Sequence, residues 1–493
     1  MIQLGENVEL GSSVYKGQFN RKALTTGIVH IGLGAFHRAH QALYTDETID
    51  KTGDMSWGIV SANIFGGQDL VDGMKQQNGL YTVTEKRADG SEVTKLVQCA
   101  LDQLWAEEDR KPLLELMVEP STRIVSLTIT EKGYLLNPAD GSLMVDNPLI
   151  IHDLKNLDNP RSAMGLIVSA LKSRREQGVQ PFTVMSCDNM PHNGKRVETA
   201  VIQFAEAINK ELAQWIRAEV CFPSTMVDRI VPAVMEADLE YVSKKLNIHD
   251  GCAIITEEFR QWVIEDKFSM GRPEWDQIEG VTFVENVAPY EDMKLRMLNG
   301  SHSILAYSGY LGNYTTVSEA MSDPDYYRMI AHYMLNEAAP TLSMPEGTDV
   351  QSYADLLLKR FLNPGLQHRT WQIAMDGSQK IPQRWLNGLV CLRKEQKANI
   401  CTTLGLASWM RYVGGRDEQN NTIDVRDPMA QELYDIANRD SDAEKTVKNL
   451  LSVKAIFDLE LVADEAFVGE VVHAYRALMD KGAKACVAAL PVA

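Results

Sequence analysis

Residues 27–33 (GIVHIGL) are a short apolar run that turns through Gly32-Leu33-Gly34 into the helical pattern FHRAHQALYTDETID, and no other segment constrains the fold as strongly. A run that is apolar at almost every position suits a strand covered on both faces, as in a parallel sheet. When a glycine turn joins such a strand to a helix, the helix N-terminus offers free N–H groups and a dipole that favour anions. The glycines let a pyrophosphate approach the backbone. Gly32 and Gly34 are the candidate cradle, with Arg38 either a phosphate contact or an ordinary surface arginine. The G-x-G-x-x-G pattern is incomplete, because His37 stands in the third glycine's place.

A second strand is expected over Trp57–Asn63 (WGIVSAN). No acid ends it to grip an adenosine ribose; Asp69 comes several residues later, and the first basic residue is Lys75. With neither an acid nor a cation for a 2′-phosphate at that point, NAD is expected over NADP. Arg123–Thr130 and Phe182–Cys187 read as further strands, with a helix around Arg161–Gln177 between them. Val197, Val201, Phe204, Ile208, Leu212 and Trp215 recur at the spacing of one helix face and read as core. Beyond about Pro289 helical patterns dominate, at 325–337, 351–361, 397–413 and 463–481. The expected architecture is α/β: a Rossmann-type doubly wound domain over 1–285, then a mostly α-helical domain over 286–493. The active site is expected in the cleft between them, at the carboxyl ends of the strands.

The helical half carries one chemically distinctive spacing, Lys294-x-x-x-x-Asn299-x-x-His302. A lysine, an amide and an imidazole can handle a proton and a developing alkoxide without a metal. Lysine needs burial or a nearby cation to bring its usual value of about 10.4 toward neutrality. The stretch 290–312 reads as a helix despite its glycines. At about 100° and 1.5 Å per residue, Asn299 and His302 share a face, with Lys294 about 80° around from His302. On spacing alone, an ordinary helix with a solvated lysine and a chance asparagine is the more frequent case. Asn189, in a polar segment after the expected strand 182–187, either offers its amide to an oxyanion or closes an Asx turn. Asp228-Arg229 reads as a structural ion pair or an anchor for a substrate hydroxyl.

Composition narrows the classes of function. With 67 acidic and 49 basic residues among 493, the net charge of −18 argues against nucleic acid and anionic membrane surfaces as partners. No stretch approaches the roughly 20 apolar residues of a membrane span, and the first residues lack a signal pattern. Seven scattered cysteines without Cys-x-x-Cys, and ten histidines without His-Glu-x-x-His, suggest reduced thiols and no structural zinc. A cytoplasmic enzyme is expected, monomeric or dimeric.

GLGAFHRAHQ (32–41), SLTITEKGY (126–134), VMSCDNMPHNG (184–194), MVDRI (226–230), EDKF (265–268) and PYEDMKLRMLNGSH (289–302) resemble, in order, the motifs of the mannitol dehydrogenase family. The resemblance to these polyol-specific long-chain dehydrogenases and sugar-acid reductases spans nearly the whole chain. It implies a Rossmann domain, a helical domain, NAD and no metal. It further implies Lys294 as general acid/base, Asn189 and Asn299 as amides on the alkoxide, and His302 and Asp228 on substrate hydroxyls. Glu291 would be a proton relay, and Gly32, Gly34, Phe36 and Arg38 would line the dinucleotide. Two departures stand out. The ribose acid is absent, which leaves Gln68 nearby. The arginine that mannitol-oxidising members place at what is here Gln372 is missing, and Arg369 comes three residues earlier. The run NPGLQHRTWQIAMDGSQKIPQRW is more like the fructuronate reductase branch, which interconverts D-fructuronate and D-mannonate. That branch needs a cation for a carboxylate, and Arg369, Lys380 and Arg384 are the candidates. A polyol such as mannitol or arabinitol is the alternative substrate, and a catalytically silent sugar-acid or nucleotide sensor is the alternative of another class.

Overall fold

The computed structural model describes residues 1–137, 140–365 and 368–492. Leu366 and Gln367, inside the run that suggested a sugar-acid branch, lie outside these residues. The chain forms two compact units, residues 1–288 and 289–493.

The first unit is built on five parallel strands: β1 (Thr26–Ile31), β2 (Gly58–Asn63), β3 (Ala100–Trp105), β4 (Ile124–Leu127) and β5 (Thr183–Ser186). Their order is β3-β2-β1-β4-β5. Val29 sits in register with Val60 on one side and Val125 on the other. This is the doubly wound 3-2-1-4-5 arrangement, and strand order reverses between β1 and β4. β1, β4 and β5 are buried along almost their whole length, as their apolar runs require. β3 escapes a reading of the sequence because ALDQLW is only half buried, at the sheet edge. The unit also holds a four-stranded mixed sheet, including the antiparallel pair Tyr81–Lys86 and Glu92–Val97, and a three-stranded sheet containing Thr225–Asp228. The apolar stripe from Val197 to Trp215 runs over two helices, Asn193–Ile208 and Lys210–Glu219. Asn209 separates them and accepts from the N–H groups of Glu211 and Leu212 at 2.7 and 3.1 Å. An asparagine that caps a new helix ends the one before it.

In the second unit a helix Gly300–Leu311 packs on Ile400–Val413, which packs in turn on Glu465–Lys481. The first two are buried nearly all round, so they carry no clean polar face. Their core includes Tyr307, Tyr326, Trp385, Trp409 and Phe467. Three segments of this unit wind as π-helix: Lys294–Asn299, Tyr333–Ala338 and Pro382–Leu386. No described helix is long and apolar enough to cross a membrane.

Candidate functional site

At the carboxyl end of β1, Gly32 adopts φ +113°, and a Cβ there would lie 2.1 Å from the Thr128 carbonyl oxygen. Only glycine fits that approach of β1 to the end of β4. Gly34 has open space where its Cβ would be, and it caps the short helix Ala35–Ala39 without any side-chain bond to the first-turn N–H groups. The exposed Gly34 backbone, leading into a helix whose first turn no side chain caps, fits a dinucleotide pyrophosphate. His37 takes the third glycine's place by lying flat: its ring stacks on His30 of β1, with centroids 3.4 Å apart and planes 7° apart. His30 lies 2.8 Å from Ser126 Oγ and 2.9 Å from Thr128 Oγ1, which ties β1 to β4 beneath the turn. Burial pushes His30 down to about 3 and His37 well below the ordinary imidazole value, so both stay neutral.

Arg38 differs from the phosphate contact that the sequence suggested. It is 5% exposed, and its Nη1 donates to the Cys252 carbonyl at 2.6 Å. Burial pulls the guanidinium below its usual range, and the Tyr81 ring lies beneath it at 5.6 Å. The side chain follows the helix face that packs inward, onto Cys252 and Tyr81. Phe36 stacks on His40 with centroids 4.8 Å apart. Gln68 opens the helix Gln68–Gln76 and is exposed, as is Asp69. Asn63, which ends β2 where an acid was sought, was missed by the sequence reading. Its Oδ1 accepts from the N–H of Leu33 at 2.8 Å, fastening strand two to the glycine turn.

After β5, Asn189 is exposed in the turn and Asp188 before it is 9% exposed. Asp188 accepts from Ile129 N at 3.0 Å, Thr130 N at 2.9 Å and Tyr134 Oη at 2.6 Å. Burial raises its carboxyl despite these donors. Thr130 sits at φ +61°, a strained conformation for a β-branched residue, and the carboxylate holds it there. Asp228 ends its strand at 4% exposure. Arg229, just past the strand, pairs with Glu85 at 2.5 Å.

In the second unit Glu291, buried, lies in the helix Ala288–Met293, and the chain then widens into the π turn Lys294–Asn299 before continuing as Gly300–Leu311. The N–H of Gly300 reaches back five residues to Leu295 O. The expected 100° step therefore fails across the signature. The bonded ring of a π turn is one residue longer than that of an α-helix, so the angle between Lys294 and Asn299 no longer follows from 100° steps. Lys294 and His302 are each 6% exposed. His302 packs against Phe361 at 4.6 Å and edge-on to His368 at 4.9 Å, and its Nε2 has no hydrogen-bond partner among the described residues. Burial pushes His302 well below its usual value, reinforced by His368, Arg384, Arg360 and Lys294. The imidazole is neutral and sits in a positive local field, although the chain as a whole is strongly acidic.

Arg384 belongs to this cluster: its Nη1 donates to Asn299 O at 3.2 Å and Ser303 Oγ at 2.8 Å, and burial lowers it to about 10. Lys380 is turned to its own loop, with Nζ 2.6 Å from Met375 O, and burial brings it down to about 8. Arg369 is exposed as N-cap of the helix Thr370–Ile373. The three cations read together in sequence thus separate, and only Arg384 touches the signature. His368, edge-on to His302, and Arg360, whose charge lowers it further, were not singled out in the sequence because neither stands in the signature.

A doubly wound nucleotide domain followed by a helical domain with a lysine, an amide and an imidazole along one continuous helical stretch is the build of a dehydrogenase acting on CH–OH groups. Two family models match the chain, the mannitol dehydrogenase Rossmann domain over residues 26–277 and the mannitol dehydrogenase C-terminal domain over 286–479. The chain belongs to the mannitol dehydrogenase family. It is 49% identical to the D-mannonate oxidoreductase of Escherichia coli (strain K12), over 98% of this chain and 99% of that one. Among solved structures, a substrate-free D-sorbitol dehydrogenase matches with TM-score 0.93 at 32% identity, covering 99% of this chain and 100% of that one. The mannitol 2-dehydrogenase of Pseudomonas fluorescens, solved as a ternary complex with NAD and D-mannitol, matches with TM-score 0.84 at 34% identity over 99% of both chains.

Proposed function

We propose that this oxidoreductase interconverts D-mannonate and D-fructuronate with NAD, by hydride transfer at C5 that needs no metal. Bound in the Gly32–Gly34 cradle, NAD would supply the hydride acceptor. Lys294 takes the proton of the reacting hydroxyl on Nζ. Asn299 and Asn189 donate amide N–H groups to the developing alkoxide, and a preorganised donor of that kind is worth about 10²–10³ in turnover. His302 and Asp228 hold other hydroxyls, and Glu291 passes the proton on. Phe36 and Gln68 are proposed to border the nucleotide.

One observation carries the choice of a sugar acid: the buried Arg384 guanidinium, bonded to Asn299 O and Ser303 Oγ, sets a positive field beside the signature in a chain of net charge −18. A neutral polyol has no use for that field, whereas a carboxylate does. Arg384 is the leading carboxylate contact, since its bonds inside the unit use Nη1; Arg369 and Lys380 rank behind it. The 49% identity to a D-mannonate oxidoreductase supports the same choice. A polyol substrate is the second reading, favoured by the match to a mannitol 2-dehydrogenase solved with D-mannitol. NADH formation with D-mannonate, D-mannitol and D-arabinitol, each with NAD and NADP, decides between them. Preference for mannonate with NAD is expected. Preference for either polyol would overturn the sugar-acid reading and leave the dehydrogenase chemistry.

A further inference from the structure

A π turn inside an α-helix breaks the i+4 ladder, so some of its carbonyls need partners from outside the helix. Three side chains supply them around Lys294–Asn299. Tyr333 Oη donates to Arg296 O at 2.8 Å, Arg384 Nη1 to Asn299 O at 3.2 Å, and Trp385 Nε1 to Gly300 O at 3.0 Å. All three donors come from the other two π segments of the unit, and both of those pack against the first. Tyr333 is the most committed of them. It is 3% exposed, and burial raises its phenol far above the usual range, so it remains a donor at any working pH. It also explains a glycine within the signature. A Cβ on Gly300 would lie 2.1 Å from Tyr333 Oη and 3.0 Å from its Cζ, so the phenol reaches Arg296 O only because residue 300 has no side chain.

We propose that Tyr333 is a positioning residue for the reaction, holding open the π turn that joins Lys294 to Asn299, with Gly300 as the gap through which it acts. The proposal rests on the reading of Lys294 as the proton-transfer group. It does not depend on which sugar is the substrate, because Tyr333 acts on the backbone between Lys294 and Asn299. Tyr333→Phe removes one oxygen from a packed ring and leaves the fold in place. Losing a donor to a buried carbonyl loosens the turn, and a misplaced proton acceptor slows the chemical step without altering ground-state binding.

The test is steady-state kinetics of Tyr333→Phe on whichever of D-mannonate or D-mannitol the native enzyme turns over, with and without deuterium at the reacting carbon. A fall in kcat of about tenfold, KM within about twofold, and a larger deuterium isotope effect on kcat are expected. Unchanged kcat and isotope effect would overturn the proposal. So would a raised KM at unchanged kcat, which would make Tyr333 a substrate contact. Gly300→Ala should do more harm alone than in the Tyr333→Phe background, where the clashing oxygen is gone; full additivity would also count against the coupling. The underlying reading fails separately, and recognisably, if Lys294→Ala turns over at the native rate.

Discussion

The glycine turn of the first unit and the π turn of the second both depart from regular structure, and they do so by opposite means. At Gly32 the departure is made by removing a side chain so that the Thr128 carbonyl can come close. At Lys294–Asn299 it is made by adding side chains, from residues 37 and 85 positions away, onto carbonyls that the widened turn leaves short of partners. A turn built by subtraction advertises itself locally. One built by addition is invisible until the distant donors are in place.

Four changes would break or sharpen that contrast. The largest effect is expected for Lys294→Ala. Loss of a general acid/base costs about 10²–10⁴ in turnover, while NADH affinity, read by fluorescence titration, stays near the native value because the cradle is in the other unit. Normal turnover would remove Lys294 from the mechanism. Gly32→Ala should do the reverse. A side chain at φ +113° pressed on the Thr128 carbonyl should cost about 3 kcal/mol or more and abolish saturable NADH binding, measured by urea unfolding and the same titration.

The histidine stack gives the third expectation. Burial lowers His30 from 6.5 to about 3 in the folded protein, so below pH 6.5 the unfolded chain takes up a proton that the folded one refuses. Its contribution is therefore complete above about pH 6.5 and declines as the pH falls toward 3, by up to about 1.4 kcal/mol per pH unit. His30→Gln should show a shallower loss of unfolding free energy between pH 7 and 5 than the native chain; parallel losses would show that the stack does not control acid stability. The smallest change is expected from Asn63→Ala, which leaves the Leu33 N–H without its partner. About 1 kcal/mol of stability should be lost, and the NADH dissociation constant should rise a few-fold; unchanged affinity would mean that the turn holds its shape without the tie.

The sequence disclosed what is written in contiguous residues. The apolar runs of β1, β4 and β5 are strands because both faces are covered, and the helical second half follows from its periodicity. β3 was lost because an edge strand of mixed polarity carries no such signal. In the site, Lys294, Asn299 and His302 were legible as a spacing, but their relative placement was misjudged by assuming α-helical steps across a π turn. Arg38 was read outward from its neighbours in the motif, whereas the packing against Cys252 and Tyr81 that turns it inward comes from residues far along the chain. Asp188 stood in plain view beside Asn189. Its role became visible only with Ile129, Thr130 and Tyr134 gathered on its carboxylate.

Asn63 bears on any attempt to retune cofactor preference. In doubly wound dehydrogenases the residue at the end of the second strand is the obvious handle for exchanging one nicotinamide cofactor for the other. Here that position is already employed as a strut, with its amide oxygen on Leu33 N. A charge introduced there would trade one cofactor's selectivity for the shape of the pyrophosphate cradle that both cofactors share. Redesign has freer ground at Gln68 and Asp69, exposed at the start of the next helix, where a new side chain leaves the Asn63–Leu33 tie intact.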